Sequence, residues 1–487
     1  MVIQEKILKS WMTFINCKNP FDSFFKKNIT LEIRNKSSRK FKEMTQSSYS
    51  IPARLTLYLF IPFILFSCSD NEQLFDGGNG TEANPYQIST IKQLQVIGDG
   101  ENLDKHFIQV ADIDAADFSE NGEEGTLNPI GSREAPFTGT YNGNGYKITG
   151  TLPFFSDMNA QHLGLFGYVR DGVIENVNLK IGTENNMAKE FNNIQAADSL
   201  LMMASDIPDL DIDNMKLMGS LVGFNDGGMI RNVRADIALS SRRHQIGGLA
   251  GYSSGEIIES SAKVDVSAFG FGGGLVVINT GLIEESHASG RVSGTGAAGG
   301  LAGMNDGGEI LRSYSDGEVF SGFRTGGLVG INSGNIENSL ALGVVDSGPG
   351  PAGGFAGVNG GEISNSYSNV EVFAFQEGES VGGFIGMNTE SGTVQTSYAA
   401  GLIDTPGELI VGGFIGDNVG EKTSCYWDTE TTGQSDGVGE GNPEGATGLT
   451  TTQMTGSEAE QNMPEFDWTN VWRTTDGYPV LRWQEDE

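Results

Sequence analysis

Gly326-Gly327-Leu328-Val329-Gly330-Ile331-Asn332-Ser333-Gly334-Asn335-Ile336-Glu337-Asn338-Ser339 decides how this chain folds, because the phrase recurs along it. With the second glycine of the pair as marker, its equivalents are Gly164, Ser220, Gly248, Gly274, Gly300, Gly327, Gly354, Gly383 and Gly413. The last eight are separated by 28, 26, 26, 27, 27, 29 and 30 residues. A near-constant period of this size marks a solenoid or a similar array.

Aligned on the marker, the repeats show what one turn contains. The next residue is apolar in every repeat, from Leu165 and Leu221 to Phe384 and Phe414. Two residues on comes glycine, replaced once by Val277. Farther along stands a β-branched residue (Ile174, Ile230, Ile257, Ile283, Ile310, Ile336, Ile363, Val394), and three beyond it a valine or serine, from Val177 to Ser397. The segments between glycines alternate apolar with small or polar residues, the period-2 sign of strands with one buried face. Each repeat is therefore expected to hold two or three short strands separated by glycine turns. Stacking like on like buries the Leu/Phe and Ile columns and pairs each backbone with the coils above and below. The fold class this implies is an all-β, right-handed parallel β-helix of about nine repeats. At about 4.8 Å per coil, nine coils make a rod on the order of 40 Å long.

The Gly-Gly-Leu-Val-Gly-x-Asn phrase followed by Ile-x-Asn-Ser-Tyr resembles the GLUG motif of bacterial surface proteins and some secreted peptidases. The resemblance covers roughly residues 76–483. Pro129-Ile130-Gly131 and Phe137 to Ile148 are similar to the segment that leads into GLUG repeats. Tyr426-Trp427-Asp428, Gly448 to Met454, Phe466-Asp467-Trp468 and Gly477 to Trp483 are similar to the segment that closes them. What the resemblance implies is a repeat scaffold and no particular activity.

Bulk properties narrow the function. Glycine supplies 70 of 487 residues without a triplet period, so it serves the repeat and not a collagen-like helix. Net charge is −33, and residues 1–67 carry +7 of it, leaving −40 for the rest. So acidic a surface excludes nucleic acid and anionic lipid as partners. It serves solubility, with calcium or a cationic ligand as the alternative. The three cysteines, Cys17, Cys68 and Cys425, imply no disulfide framework.

Residues 1–43 are basic, aperiodic and read as a mis-assigned start before Met44, without ordered structure. In residues 44–67, Arg54 precedes an apolar run of twelve, Leu55 to Phe66, too short to span a bilayer and right for a signal peptide. Leu65-Phe66-Ser67-Cys68 resembles the lipobox of bacterial lipoproteins, which implies lipidation of Cys68. The acidic residues that follow, within a linker over 68–80, resemble a surface-export signal of Gram-negative outer-membrane lipoproteins. The expected address is thus the outer membrane or cell surface, reached through a lipid anchor only.

Residues 81–163 are expected to form an N-terminal cap and first irregular coils. They include a short helix over Ser89 to Gly98, with Ser89 as N-cap and Gly98 as C-cap. Such an end shields core and strand edges that an open coil would expose. The repeats proper run over 164–421. The 56-residue gap between the first two markers predicts a side insertion over 184–216, helical from Met187 to Ala204. Its end places Asp206, Asp209, Asp211 and Asp213 at near-alternate positions, a spacing that could ligate calcium or simply form a solvated turn. Residues 422–487 form a C-terminal capping segment. It holds Trp427, Trp468, Trp472 and Trp483, which could stack on sugars or serve as apolar lids over the last coil.

Catalytic signatures are scarce. His106, His162, His244 and His287 lie far apart, and none begins a His-Glu-x-x-His motif. The sequence holds no Walker loop or Cys-x-x-Cys pair. His287 falls in a column with Tyr314, Leu340, Tyr367, Tyr398 and Tyr426, which makes it a stack member. The best cluster lies in the column Asn176, Asn232, Glu259, Glu285, Arg312, Asn338 and Asn365, where Glu259, Glu285 and Arg312 fall on successive coils. Two carboxylates and a cation could serve a polysaccharide hydrolase or lyase, or be ordinary ladder electrostatics. The reading that follows is a non-enzymatic, lipid-anchored surface scaffold for adhesion to an extracellular glycan or protein, needing no cofactor. A carbohydrate-active β-helix enzyme is the alternative.

Overall fold

The structure is a computed structural model, and it describes residues 74–117, 119–120, 123–124, 127–150, 160–182, 211–374, 380–405 and 409–485. Cys68, the signal-peptide and start-site readings, Asp206, Asp209 and the helical stretch within 184–216 lie outside the described residues.

The described chain is the expected parallel β-helix. Each coil carries four strands, where two or three were expected. In one representative coil they are Ala297–Gly299, Ala302–Asn305, Glu309–Leu311 and Tyr314–Ser321. The additional strand comes from the marker glycines, which separate two strands of different sheets. A Cβ on Gly299 would lie 2.0 Å from the Ala302 carbonyl oxygen, and one on Gly300 2.1 Å from that of Gly327. Glycine lets the two strands and the next coil approach so closely, and at the one exception, Ser220, the hydroxyl donates to the Gly248 carbonyl of the next coil.

Stacked coils give four sheets. We name them for their signature residues, in chain order, the glycine, asparagine, isoleucine and long sheets. The glycine sheet has nine strands and the asparagine sheet ten, while the isoleucine and long sheets have twelve and thirteen. The first coils add Tyr86–Ile88, His106–Gln109 and Thr140–Asn142 to the isoleucine sheet and Ile113–Asp114 and Lys147–Gly150 to the long sheet, while the C-terminal end adds Ile403–Asp404 and Ala446–Leu449 to the long sheet and Val438–Gly441 to the asparagine sheet. Pairing between coils is parallel and in register, as in Ile310↔Ile336 and Ile336↔Ile363. The Leu/Phe column is buried throughout, and the β-branched column is buried beside it.

Two polar ladders run inside this core. In six successive coils, from Asn279 to Asn418, the asparagine sheet's strand ends on a buried asparagine, and each of the first five donates its Nδ2 to the Oδ1 of the next: Asn279 to Asn305 (2.8 Å), Asn305 to Asn332 (2.9 Å), Asn332 to Asn359 (2.8 Å), Asn359 to Asn388 (2.9 Å) and Asn388 to Asn418 (2.8 Å). The serine column forms the second. Ser286 N–H donates to Ser313 Oγ and Ser313 N–H to Ser339 Oγ, while each hydroxyl donates to a carbonyl two residues back. Cys425 occupies the last place in this column, where burial pushes its thiol up to about 12.

The N-terminal helix is Ile91–Val96, with Thr90 and not Ser89 as N-cap and Ile97 in place of Gly98 at the C-cap. Gln93 decides the position: its N–H donates to Thr90 Oγ1 and its side-chain oxygen accepts from Thr90 N–H, a capping box that Ser89 is one residue too early to make.

The C-terminal segment does more than lid the last coil. After Cys425–Asp428 it turns back over the outer face of the long sheet. Its short helices Thr451–Met454 and Glu458–Asn462 lead into a cluster in which Met454, Met463, Phe466 and Trp472 cover Leu340, Tyr367, Tyr398 and Tyr426. Tyrosine hydroxyls pin it: Tyr398 donates to the Pro479 carbonyl (2.6 Å) and Tyr478 to Asp428 (2.7 Å). Trp427, with Cys425 and Val438, turns inward and closes the end of the coil core, its indole N–H donating to the Gln434 carbonyl.

Two outcomes test these interactions. Asn332→Ala removes a link from the buried amide ladder and leaves Asn305 Nδ2 and Asn359 Oδ1 without their partner. We expect a loss of about 2–4 kcal/mol in urea unfolding, and a loss below about 0.5 kcal/mol would show the ladder to be dispensable. The second concerns alkali. Burial pushes Tyr367 and Tyr478 up to about 12, against about 10 when unfolded. The stability these phenols lend the flank is complete below pH about 10 and is lost as pH rises towards 12. Trp472 fluorescence should therefore shift between those values, and ionisation near pH 10 without that shift would count against the pinning.

Candidate functional site

Between the isoleucine strand and the long strand every repeat makes the same turn on one residue. From Asn176 to Ser424 nine residues occupy that position, with φ between 44° and 56°. Left-handed backbone clashes with an ordinary side chain and suits asparagine best after glycine. Asparagine accordingly holds the position at Asn176, Asn232, Asn338 and Asn365. The three coils between give it up for Glu259, Glu285 and Arg312. The coils nearest the C terminus use Thr396 and Ser424.

The same three residues line a groove of about 710 Å3, together with Asn232, Arg234, Ser260, Ser261, His287 and Trp483. A second hollow of about 360 Å3 continues it through Asn144, Gly145, Asn176 and Asn178, and shares Asn232 and Arg234. Two parallel columns thus form the floor. One is the left-handed turn. The other begins each long strand and reads, in register, Lys147, Asn178, Arg234, Ser261, His287, Tyr314, Leu340, Tyr367. The C-terminal segment covers the apolar half of this second column, and its polar half stays open as the groove.

Hydrogen bonds set the side chains. Asn232 Nδ2 donates to Asn176 Oδ1 (2.7 Å), and Asn176 Nδ2 to Asn142 Oδ1 (3.2 Å). Arg312 donates through Nε to Glu285 Oε1 (3.0 Å) and through its other arm to Glu284. His287 stacks on Tyr314, 4.5 Å between centroids at 11°, as its column implied. Burial, reinforced by Arg234, holds its imidazole below the usual range, so the ring is neutral near pH 7. At the end of the groove Trp483 donates its indole N–H to the Asn338 carbonyl (2.8 Å), which fixes the ring on the flank.

The structure therefore brings Glu259, Glu285 and Arg312 into one groove, as the column reading placed them. It does not give them a catalytic setting. Both glutamates are exposed and Glu285 is occupied by Arg312, whereas a carboxyl that serves as general acid sits in an apolar pocket. Of the four tryptophans, Trp427 and Trp472 are buried and present no face to a ligand. Trp468 packs on Phe466 in the flank cluster, and Trp483 alone lines the groove. Asp211 opens a short turn and accepts from Asn214 Nδ2 (2.6 Å). Among the described residues no group of three or more His, Cys, Asp or Glu is placed to hold a metal ion. Arg234 and Ser261 were absent from the sequence-derived candidates, although counting two residues on from the turn column would have found them.

No family model matches the chain. A candidate Gly-rich membrane protein of Evansella cellulosilytica is 33% identical over 131 residues, 26% of this chain and 15% of that one. Halomucin of Haloquadratum walsbyi is 36% identical over 96 residues, 18% of this chain and 1% of that one. The chain thus spans a small part of the length of these relatives. Among solved structures, a candidate immunoglobulin A1 protease of Bacteroides ovatus aligns at a TM-score of 0.39 and 19% identity, over 84% of this chain and 96% of that one. So weak a likeness bears on neither fold nor activity.

Strain at the turn makes one prediction. Glu259 has no ion pair among the described residues, so Glu259→Asn changes chiefly the backbone preference. It should stabilise the protein by about 0.5–1 kcal/mol in urea unfolding. A neutral or destabilising result would mean that the position carries no strain.

Proposed function

We propose that this protein is a cell-surface scaffold whose groove binds a glycan chain laid along the coil stack, without turnover. One observation carries the reading. On three successive coils the turn abandons asparagine, and the residues that replace it line a polar groove that ends on a fixed indole. Residues held in an unfavoured backbone region persist where they serve a ligand. The groove offers what sugars need: amides, hydroxyls and a guanidinium to meet hydroxyl groups, and an aromatic face at one end. Its elements repeat at about 4.8 Å, so a chain lying along the stack meets like groups at regular intervals.

Support for the address comes from the lipobox-like Leu65-Phe66-Ser67-Cys68 and the GLUG-like repeats, and from the name of one relative, a membrane protein. On this reading Cys68 carries the lipid anchor and the acidic solenoid stands outside the cell. Partners are extracellular glycans, nucleic acid is excluded by charge, and no cofactor takes part.

The test is glycan-array binding by the purified protein, with and without calcium, followed by product analysis of each glycan bound. We expect binding without calcium and without new reducing or unsaturated ends. Trp483→Ala should weaken it about tenfold, while Trp468→Ala, in the same segment but outside the groove, should leave it unchanged. Cleaved product would point instead to an enzyme acting through Glu259, Glu285 and Arg312. Binding indifferent to Trp483 would place the ligand elsewhere.

A further inference from the structure

The charges of the groove point to its ligand more narrowly. The chain has 63 acidic against 30 basic side chains, so a surface arginine has carboxylates to spare. Its neighbours use them: Arg312 pairs with Glu284 and Glu285, Arg231 with Glu175, and Arg170 with Asp226. Arg234 does not. It is exposed, it lines both hollows at the point where they join, and it makes no ion pair among the described residues. Its own column contains Lys147, Asn178, Ser261 and His287 and no acid over these coils. Of the two carboxylates on the facing column, Glu285 is already held by Arg312.

From this we infer that Arg234 is the anchor for an anionic group, carboxylate or sulfate, on the bound glycan. The inference rests on the glycan reading above and adds the charge class of the ligand. A planar guanidinium with two parallel N–H groups matches the paired oxygens of either anion. The acidic surface away from the groove repels a polyanion such as nucleic acid that would spread over it, whereas an anion seated at Arg234 meets chiefly the charges within a Debye length of about 8 Å. What acts on the ligand is the local field, and Arg234 supplies its positive part. Glu259, unpaired on the facing column, then discriminates by repelling chains too densely charged, so that an anion on some sugars and not on all is favoured.

Affinities are measured by calorimetry with three probes: hyaluronan (carboxylate on alternate sugars), chondroitin sulfate (carboxylate and sulfate) and neutral dextran. We expect hyaluronan or chondroitin sulfate to bind at least tenfold more tightly than dextran, and the preference for one over the other to separate carboxylate from sulfate. Arg234→Gln should lower the anionic affinity about tenfold without changing that for dextran, and Arg234→Lys should restore part of it, keeping charge but not the two-pronged geometry. Arg243→Gln, an exposed arginine outside the groove, is the control for general charge and should have no effect. Equal affinity for dextran and the charged glycans, or an Arg234→Gln protein that binds as the parent does, would overturn the inference while the groove remains a glycan site. Failure of every glycan to bind would overturn the reading on which it rests.

Discussion

A buried primary amide that loses its hydrogen-bond partners is costly, and that constraint organises this solenoid. Each asparagine from Asn279 to Asn418 finds part of its bonding only in the asparagine one coil away. A strand slipped by one residue would bury an unpaired amide in each coil and turn the Leu/Phe column outwards. Apolar packing alone is less discriminating, because leucine, isoleucine and valine exchange places at modest cost. Amide and serine ladders therefore set the register that packing then consolidates.

From fixed register follows everything at the surface. When coils stack without slip, any two residues one period apart become neighbours, and an outward position becomes a column. The turn column and the first residue of the long strand run side by side for the whole stack. Where those positions carry tyrosine and leucine, the C-terminal segment covers them. Where they carry arginine, serine and histidine, they stay open and form the groove. One geometrical feature thus serves as closure at one end and as candidate binding surface at the other, and side-chain chemistry alone decides which.

The left-handed turn shows how stability and use compete within such a column. Asparagine is the comfortable residue there, and the coils on either side of the groove have it. Glutamate and arginine on the three intervening coils set less favoured backbone against charge presented to the groove. Because neighbouring coils hold each turn through strand pairing on both sides, the fold tolerates the exceptions locally.

Much of this was legible in the amino-acid order. The period determined a stacked parallel β-helix, the aligned columns identified its core, and the same alignment put Glu259, Glu285 and Arg312 side by side, since in a solenoid sequence spacing maps directly to distance. Four strands per coil were not legible, because the marker glycines read as a turn until the close approach of successive coils showed why they must be glycine. Nor could the order alone tell which tryptophans are buried. Trp472 and Trp483 lie in the aperiodic tail, where no repeat converts spacing into position. Only the folding of that tail back along the long sheet buries Trp472 against Tyr367 and Tyr398 and brings Trp483 to the groove, more than 140 residues from its hydrogen-bond partner Asn338.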